Sequence, residues 1–548
     1  MMMSDNGWFR FFIPLGTSPP KEWVERLWAG GLLLAALPLF TVNLGGVSLR
    51  DWDEGTVAQV AREIYRAEPG SMTWLHPTIF GVPYLNKPPL LHWLIALTYH
   101  IGGVNEWTAR LPGAILTAVS VPLLYGIGRE LFPRRLPAIF AALVYLTLLP
   151  VVRHGRLAML DGASLCFFLL LIYCVLRTRR DLRWGLGAGI AFGLLCLTKG
   201  ILALLLGAIA VVFILLDTPR LLTSGYVWGG VLLGSFPVFA WYGAQWQHYG
   251  DSFISISLGS QSFHRIWISV EQNTGPPWYY LLEILKYSLP WLLFLPWGCR
   301  LVWENRRLSW ATLVMLWVAI FLGAISLMKT KLPWYGLPIY PALALAVGAF
   351  LGEIWNPSDV TGMRQTGRRY PTLWVGLLGL LAIAGWAGSF YYRSWGGEPK
   401  PYLPLILTLA ALTFTAAAIL VRRQDSQFIP VLIWGSYLSL LSLMLSPAWV
   451  WELNEQFPVK PVAEMIQQVV PPGQVVMTTF PHTRPSLDFY SDRRVIPTSE
   501  EAIKEQWKSA PQAYLLTDAA KLAQLGLPAT SQAHAEGWTL VAKPAAIE

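Results

Sequence analysis

Charge is scarce in this chain. Asp, Glu, Lys and Arg make up 13% of its 548 residues, against roughly 25% in a soluble domain, which excludes a protein whose whole surface meets water. Cysteine is scarcer still, at four residues. Cys166, Cys174, Cys196 and Cys299 all fall within or at the ends of apolar runs, so they read as small core residues and not as a disulfide framework. The eight histidines include no His or Cys pair at ligand spacing, so no metal motif can be written. A nucleotide-binding glycine pattern and an internal repeat are both missing. The first apolar stretch has no small-x-small exit and is expected to be kept as a span, not cleaved as a signal peptide.

Apolar length is what the chain has. It is 54% hydrophobic with a mean hydropathy of +0.45, and runs of spanning length recur, so the fold class is a polytopic α-helical membrane protein. About thirteen spans are expected, near 27–47, 107–128, 136–152, 159–177, 184–198, 200–216, 225–245, 279–300, 310–327, 333–352, 372–391, 401–421 and 428–447. The 28 tryptophans serve as headgroup anchors or as core, which sequence does not separate.

Basic clusters mark alternate loops: Arg10, Lys21 and Arg26; Arg129, Arg134 and Arg135; Arg177, Arg179, Arg180 and Arg183; Arg300, Arg306 and Arg307; Arg364, Arg368 and Arg369; Arg422 and Arg423. By the positive-inside rule these face the cytoplasm. The N-terminus is then cytoplasmic, and the loops with Asp53, Lys87, His264 and Lys331 face outward. An odd span count also puts the tail outside. The net charge of +9 sits mostly in short loops, which favours anionic lipid over nucleic acid as partner.

The chain divides into a membrane domain, 1–450, and a C-terminal α/β domain of the small outward type, 451–548. In the outward loop 48–106, residues 56–67 show helical spacing, with Arg62 and Arg66 expected toward headgroups. Residues 90–101 are too short to span and read as an interfacial or re-entrant helix. Loop 248–278 is the second outward segment. In the tail, Val459–Val469 reads as an amphipathic helix. Gln474–Thr479, Leu487–Ile496, Ala513–Thr517 and Trp538–Ala542 read as strands, and Thr498 opens a capping box with Glu501 before a helix to about Trp507.

Chemistry concentrates in the outward loops. Asp53 and Glu54, in D-W-D-E-G just past the first span, can take a proton from a hydroxyl, or simply favour the start of the helix that follows. Lys87, in N-K-P-P, can hold a lipid phosphate or anchor the next helix. Arg153, His154 and Arg156 break the positive-inside rule, which an anionic ligand or an Arg156–Asp161 ion pair would explain. Lys199, Lys329 and Lys331 break it too, and together these cations would form a phosphate pocket. His264, beside Arg265, could meet a sugar or a metal, although a lone histidine more often does neither.

The ordered set D-E-G at 53–55, Y-L-N-K-P-P-L at 84–90, R-L-P-G at 110–113, G-R-E-L-F at 128–132, R-L-A-M-L-D at 156–161, L-T-K-G at 197–200 and K-L-P-W-Y at 331–335 resembles the polyprenyl-phosphate-dependent glycosyltransferases of the glycosyltransferase-C superfamily. The similar branch is the 4-amino-4-deoxy-L-arabinose lipid A transferases, related to protein O-mannosyltransferases. The resemblance implies that Asp53 is the catalytic base and Glu54 its support. Lys87, with Tyr84 and Tyr335, would hold the donor phosphate, and Arg265 would help. Two departures stand out: Thr56 and Val57 replace an Arg-Tyr pair, and Asn86 replaces an acid. In some relatives that acid and a histidine matching His264 hold a divalent cation, and Asn86 speaks against one here.

The expected reaction is inverting transfer of a sugar from a polyprenyl-phosphate donor to a lipid, glycan or protein acceptor at the outer face of the plasma membrane, with no nucleotide or redox cofactor. A transporter or flippase for polyprenyl-linked glycolipids, or a non-catalytic binder of them, is the alternative.

Overall fold

The computed structural model describes residues 22–263, 267–268, 273–355, 369–394, 400–450, 458–528 and 530–544. Helix α1 (Glu22–Thr41) leads into a segment made of α2 (Asp53–Arg66), a ribbon of β1 (Thr78–Ile79) and β2 (Val82–Pro83), and α3 (Leu90–Gly102). There follow α4 (Glu106–Leu131), α5 (Arg135–Leu146), α6 (Leu149–Gly155), α7 (Leu160–Thr178), α8 (Trp184–Lys199), α9 (Leu202–Asp217), α10 (Gly225–Tyr249) and the short α11 (Asp251–Ile254). The membrane part closes with α12 (Tyr279–Tyr287), α13 (Leu295–Glu304), α14 (Ser309–Leu327), α15 (Tyr340–Trp355), α16 (Thr372–Ser394), α17 (Tyr402–Arg422) and α18 (Phe428–Leu445).

All thirteen expected spans contain helix. Among the described residues nine helices are long and apolar enough to cross a membrane, or ten if α5 and α6, which meet at 59°, count as one broken span. Helices α8 and α9 have 16 residues each, about 24 Å at 1.5 Å per residue, short of the roughly 30 Å hydrocarbon core. The run expected at 279–300 is not one helix. It breaks into α12, a 3-10 turn at Trp291–Leu293, and α13. Pro290 and Pro296 cause this, because each removes an amide donor and blocks the preceding turn. Pro150 likewise opens α6 after the bend at Thr147.

The centre of the bundle is α7 and the helical stretch Pro333–Trp355, each 83% buried over its apolar window, while α10 and α17 are 17% buried there and present their apolar sides to lipid. Helices α8 and α10 approach backbone to backbone: a Cβ on Gly189 would lie 1.9 Å from the carbonyl carbon of Gly230. Small residues permit such contact where no hydrophobic effect drives association.

The C-terminal unit is α/β. It has α19 (Val459–Val469), β3 (Val475–Thr478), α20 (Pro485–Ser491), β4 (Arg494–Pro497), α21 (Glu500–Ser509), β5 (Tyr514–Asp518), α22 (Ala519–Leu525), β6 (Thr530–Ala535) and β7 (Trp538–Ala542). The sheet order is β4-β3-β5-β7-β6, with β4, β3 and β5 parallel and β7 and β6 antiparallel. One face packs under Val462, Ile466 and Leu487, the other under Ile503, Trp507 and Leu525.

Three tail expectations change. The segment 487–496 is a helix and a short strand, because Pro485 starts α20 and Asp492, at φ 52°, ends it in a left-handed turn. The helix cap is Ser499, whose side chain accepts from the Ala502 amide. Thr498 instead donates its amide to Thr478 O at the sheet end. Strand β6 and helix α22 were not anticipated.

Candidate functional site

Helix α2 starts at Asp53, and its N-cap, Trp52, supplies no side-chain acceptor. Two carboxylates therefore lie in the first turn, where the helix dipole favours negative charge. Their surroundings differ sharply. Glu54 is fully buried. Arg110 of α4 donates to it through Nε and Nη2, both at 2.7 Å. The amides of Arg50 and Ala158 donate at 3.0 and 2.7 Å. Burial works to raise the Glu54 carboxyl, but Arg110 and the two amides override it and hold the group below the usual carboxylate range. With all its acceptor directions used, Glu54 is a structural anchor that joins α2, α4 and the α6–α7 turn.

Asp53 is the more exposed member of the pair. Its side chain is 26% exposed, and the guanidinium of Arg50 lies 3.8 Å away. Arg50 in turn stacks over the Trp334 ring at 5.1 Å, and His154 of α6 faces the same ring at 6.3 Å. Trp334 and the half-buried Tyr335 belong to the 3-10 turn Pro333–Ile339. The K-L-P-W-Y segment is thereby drawn to the start of α2.

Contacts lead from there to the lysines. Ala158 bonds Glu54, and three residues on, Asp161 of α7 pairs with Lys199 of α8 at 2.7 Å. Gly200 follows at φ +60°, and a Cβ there would lie 3.7 Å from Pro88. The N-K-P-P segment thus rests on the L-T-K-G turn, with Asn86 and Lys87 half-buried. Behind them Leu85, Leu197, Trp241 and Phe253 form one apolar cluster. Tyr84 is buried edge-on to His92 at 5.4 Å. A second route ties the same loop to α2: Glu63 accepts from the Thr78 hydroxyl at 2.5 Å and from the Phe80 amide.

Several expected ligand residues are otherwise engaged. Arg156 is fully buried, donates to the carbonyls of Leu39, at 2.7 Å, and Val42 at the end of α1, and stacks over Trp449 at 4.7 Å. The expectation of a phosphate contact there gives way to a cap on a helix C-terminus. Asp161 pairs with Lys199, so the alternative Arg156–Asp161 pair is also replaced. Lys331 donates to the carbonyls of Ile325 and Ser326 at 2.9 and 2.7 Å and caps α14. Arg62 and Arg66 do not turn to headgroups. Arg62 donates to Phe489 O at 2.6 Å, and Arg66 pairs with Asp492 at 2.7 Å. His264 and Arg265 lie outside the described residues. Among the described residues no three His, Cys, Asp or Glu side chains gather as a metal site.

Sequence reasoning gave no role to Asp51, Gly55, Arg110 and Trp334, which stand in the quoted motifs, and passed over Arg50, Arg484 and Ser486. Arg110 had a signal, since a charge inside an apolar helix needs a partner. The tail residues had none.

A family described as dolichyl-phosphate-mannose-protein mannosyltransferase matches residues 86–242, which includes N-K-P-P, R-L-P-G and L-T-K-G. An undecaprenyl phosphate-alpha-4-amino-4-deoxy-L-arabinose arabinosyl transferase of Pseudomonas fluorescens is 31% identical over 373 residues, 66% of each chain. The chain belongs to the glycosyltransferase-C superfamily, in its arabinosyl-transferase-like branch. A transferase of the same name from Aeromonas hydrophila is 28% identical over 69% of this chain and 70% of its own. These alignments span about two thirds of the relatives' length. The crystal structure of ArnT from Cupriavidus metallidurans bound to undecaprenyl phosphate superposes with a TM-score of 0.76 at 20% identity, over 96% of this chain and 99% of the other. That likeness extends the shared fold through the C-terminal unit.

Proposed function

We propose that this protein transfers a sugar from a polyprenyl phosphate to an acceptor hydroxyl at the outer face of the plasma membrane. Asp53 takes the acceptor proton as the hydroxyl oxygen attacks the anomeric carbon. The bond from that carbon to the phosphate oxygen breaks with inversion, and the phosphate leaves with its charge facing Lys87. Lys199, partly neutralised by Asp161, fixes the turn on which the Lys87 loop rests. The names of the relatives favour undecaprenyl phosphate as the carrier and an aminopentose as the sugar. A lipid, a glycan or a protein can supply the hydroxyl. In this reading α2 and the C-terminal unit lie outside, and the Arg129–Arg135 and Arg177–Arg183 turns face the cytoplasm.

One observation carries the reading: of two adjacent carboxylates, Glu54 is fully buried among four donors, whereas the Asp53 side chain is 26% exposed and can be reached by a substrate. The test is incubation of the purified full-length protein in liposomes with radiolabelled undecaprenyl phosphate-linked aminoarabinose and lipid A. Labelled acceptor with release of undecaprenyl phosphate is expected. Label that crosses the bilayer with no new product would instead establish a flippase.

A further inference from the structure

The stretch 49–55 is gripped from two sides. On the membrane side Glu54 is bonded by Arg110 and Ala158. On the other side Asp51, itself buried, is bonded by the C-terminal unit. Arg484 donates to one carboxylate oxygen at 2.7 Å, and Ser486 donates to the other through its hydroxyl at 2.6 Å and its amide at 3.3 Å. These are charge-assisted bonds shielded from water, the stronger class. Asp53 lies between the two anchored carboxylates, one residue from Glu54 and two from Asp51.

Gly55 marks how tight the grip is. A Cβ there would sit 2.6 Å from the Ser486 amide nitrogen and 3.0 Å from the Pro485 carbonyl carbon. Both are backbone atoms, so the unit would have to shift. The glycine of D-E-G is thus required by the C-terminal unit, whose turn 484–486 lies against the first turn of α2. The far end of α2 is held separately, by Arg62 to Phe489 O and by Arg66 to Asp492. Loss of the near contact therefore leaves the unit docked and loosens the turn that carries Asp53.

We infer that Arg484 and Ser486 are positioning residues for the Asp53 carboxylate, so that the C-terminal unit takes part in catalysis by fixing the base from outside. The inference rests on the proposed role of Asp53. A base displaced by about 1 Å can lose on the order of 100-fold in rate, whereas donor binding, which uses the Lys87 loop, depends on other contacts.

The test uses full-length protein and the labelled donor. Arg484→Ala is expected to lower kcat about 10- to 100-fold with the donor KM unchanged, and Arg484→Lys, which keeps one ionic bond to Asp51, is expected to recover part of the loss. Gly55→Ala presses on the same contact from the α2 side, so it should show the same kcat-only loss and add little to Arg484→Ala. Lys521→Ala removes a surface pair with Glu500 in the same unit and should leave kcat as it is. The inference is overturned if Arg484→Ala keeps wild-type kcat per folded molecule. It is equally overturned if kcat and KM fail together with no recovery by Arg484→Lys. A wild-type protein that yields no product would count against the transferase reading itself, and is distinguishable because no variant is needed to see it.

Discussion

Two groups of charge lie near the start of α2 and the loops linked to it, and they are built differently. In the first, Glu54, Arg110, Arg156 and Lys331 are buried, with their polar atoms directed at each other or at helix-end carbonyls. In the second, Asp53 and Lys87 are partly exposed; Glu54 and Arg110 hold the segment of Asp53, and the Lys199–Asp161 turn seats that of Lys87. The difference teaches that a charge near the membrane has two uses. Where the protein buries it against carbonyls or a counter-charge, it fixes backbone; where the side chain keeps some exposure, it can meet a substrate. Adjacent residues of one motif fall on opposite sides of that division.

Substitutions can break or sharpen the contrast, ranked by free energy. Glu54→Gln leaves Arg110 buried without its counter-charge, and loss of one partner of such a pair costs about 3–5 kcal/mol. Thermal unfolding in detergent should show a large drop, and an unchanged melting temperature would erase the division. Lys87→Ala should leave unfolding alone but weaken donor use, since a hydrogen bond to a charged group contributes about 1.5–3 kcal/mol. A donor KM raised roughly 10- to 100-fold is expected, with a smaller change in kcat. The Lys199–Asp161 pair, with 10% and 7% side-chain exposure, should couple by about 0.5–3 kcal/mol in a double-mutant cycle of Lys199→Met and Asp161→Asn. Additivity there would remove Lys199 from the framework that seats the N-K-P-P loop.

A separate effect concerns pH. The Asp488 carboxyl in the C-terminal unit is pushed up to about 8, mainly by burial, against the Val495 amide that lowers it and with the Asp51 carboxylate adding repulsion. In the unfolded chain its pKa is the ordinary one, about 3.9. Between those values the folded protein holds a proton that the unfolded chain does not, so stability falls as pH rises from about 4 to about 8. Unfolding temperatures at pH 5 and pH 8 should differ in that direction, and Asp488→Asn should narrow the gap.

Much of this was legible in the sequence. The spans declared themselves because crossing hydrocarbon demands apolar length, whereas the breaks at Pro290 and Pro150, which proline chemistry explains, were read through as continuous. The ordered motifs named the segments that carry Asp53, Lys87 and Lys199, and the structure links those segments through Ala158, the Asp161–Lys199 pair and Gly200. What stayed hidden is partner choice. A positive-inside violation says only that Arg156 needs an acceptor, and the carbonyls that end α1 serve as well as a phosphate. The Arg484–Asp51 bond joins residues 433 apart, and nothing local at either end announces it. Segment 487–496 misled because Leu487 and Phe489 alternate as in a strand, while Pro485, the helix start signal, lay just upstream.

The measurement that tests the central claim most directly is turnover of labelled undecaprenyl phosphate-linked sugar by Asp53→Asn, per folded molecule, beside donor retention by the same sample. Removal of a general base predicts a kcat lower by about 10²–10⁴-fold with donor binding and melting temperature as in the wild type. An Asp53→Asn protein that turns over at the wild-type rate would contradict the account.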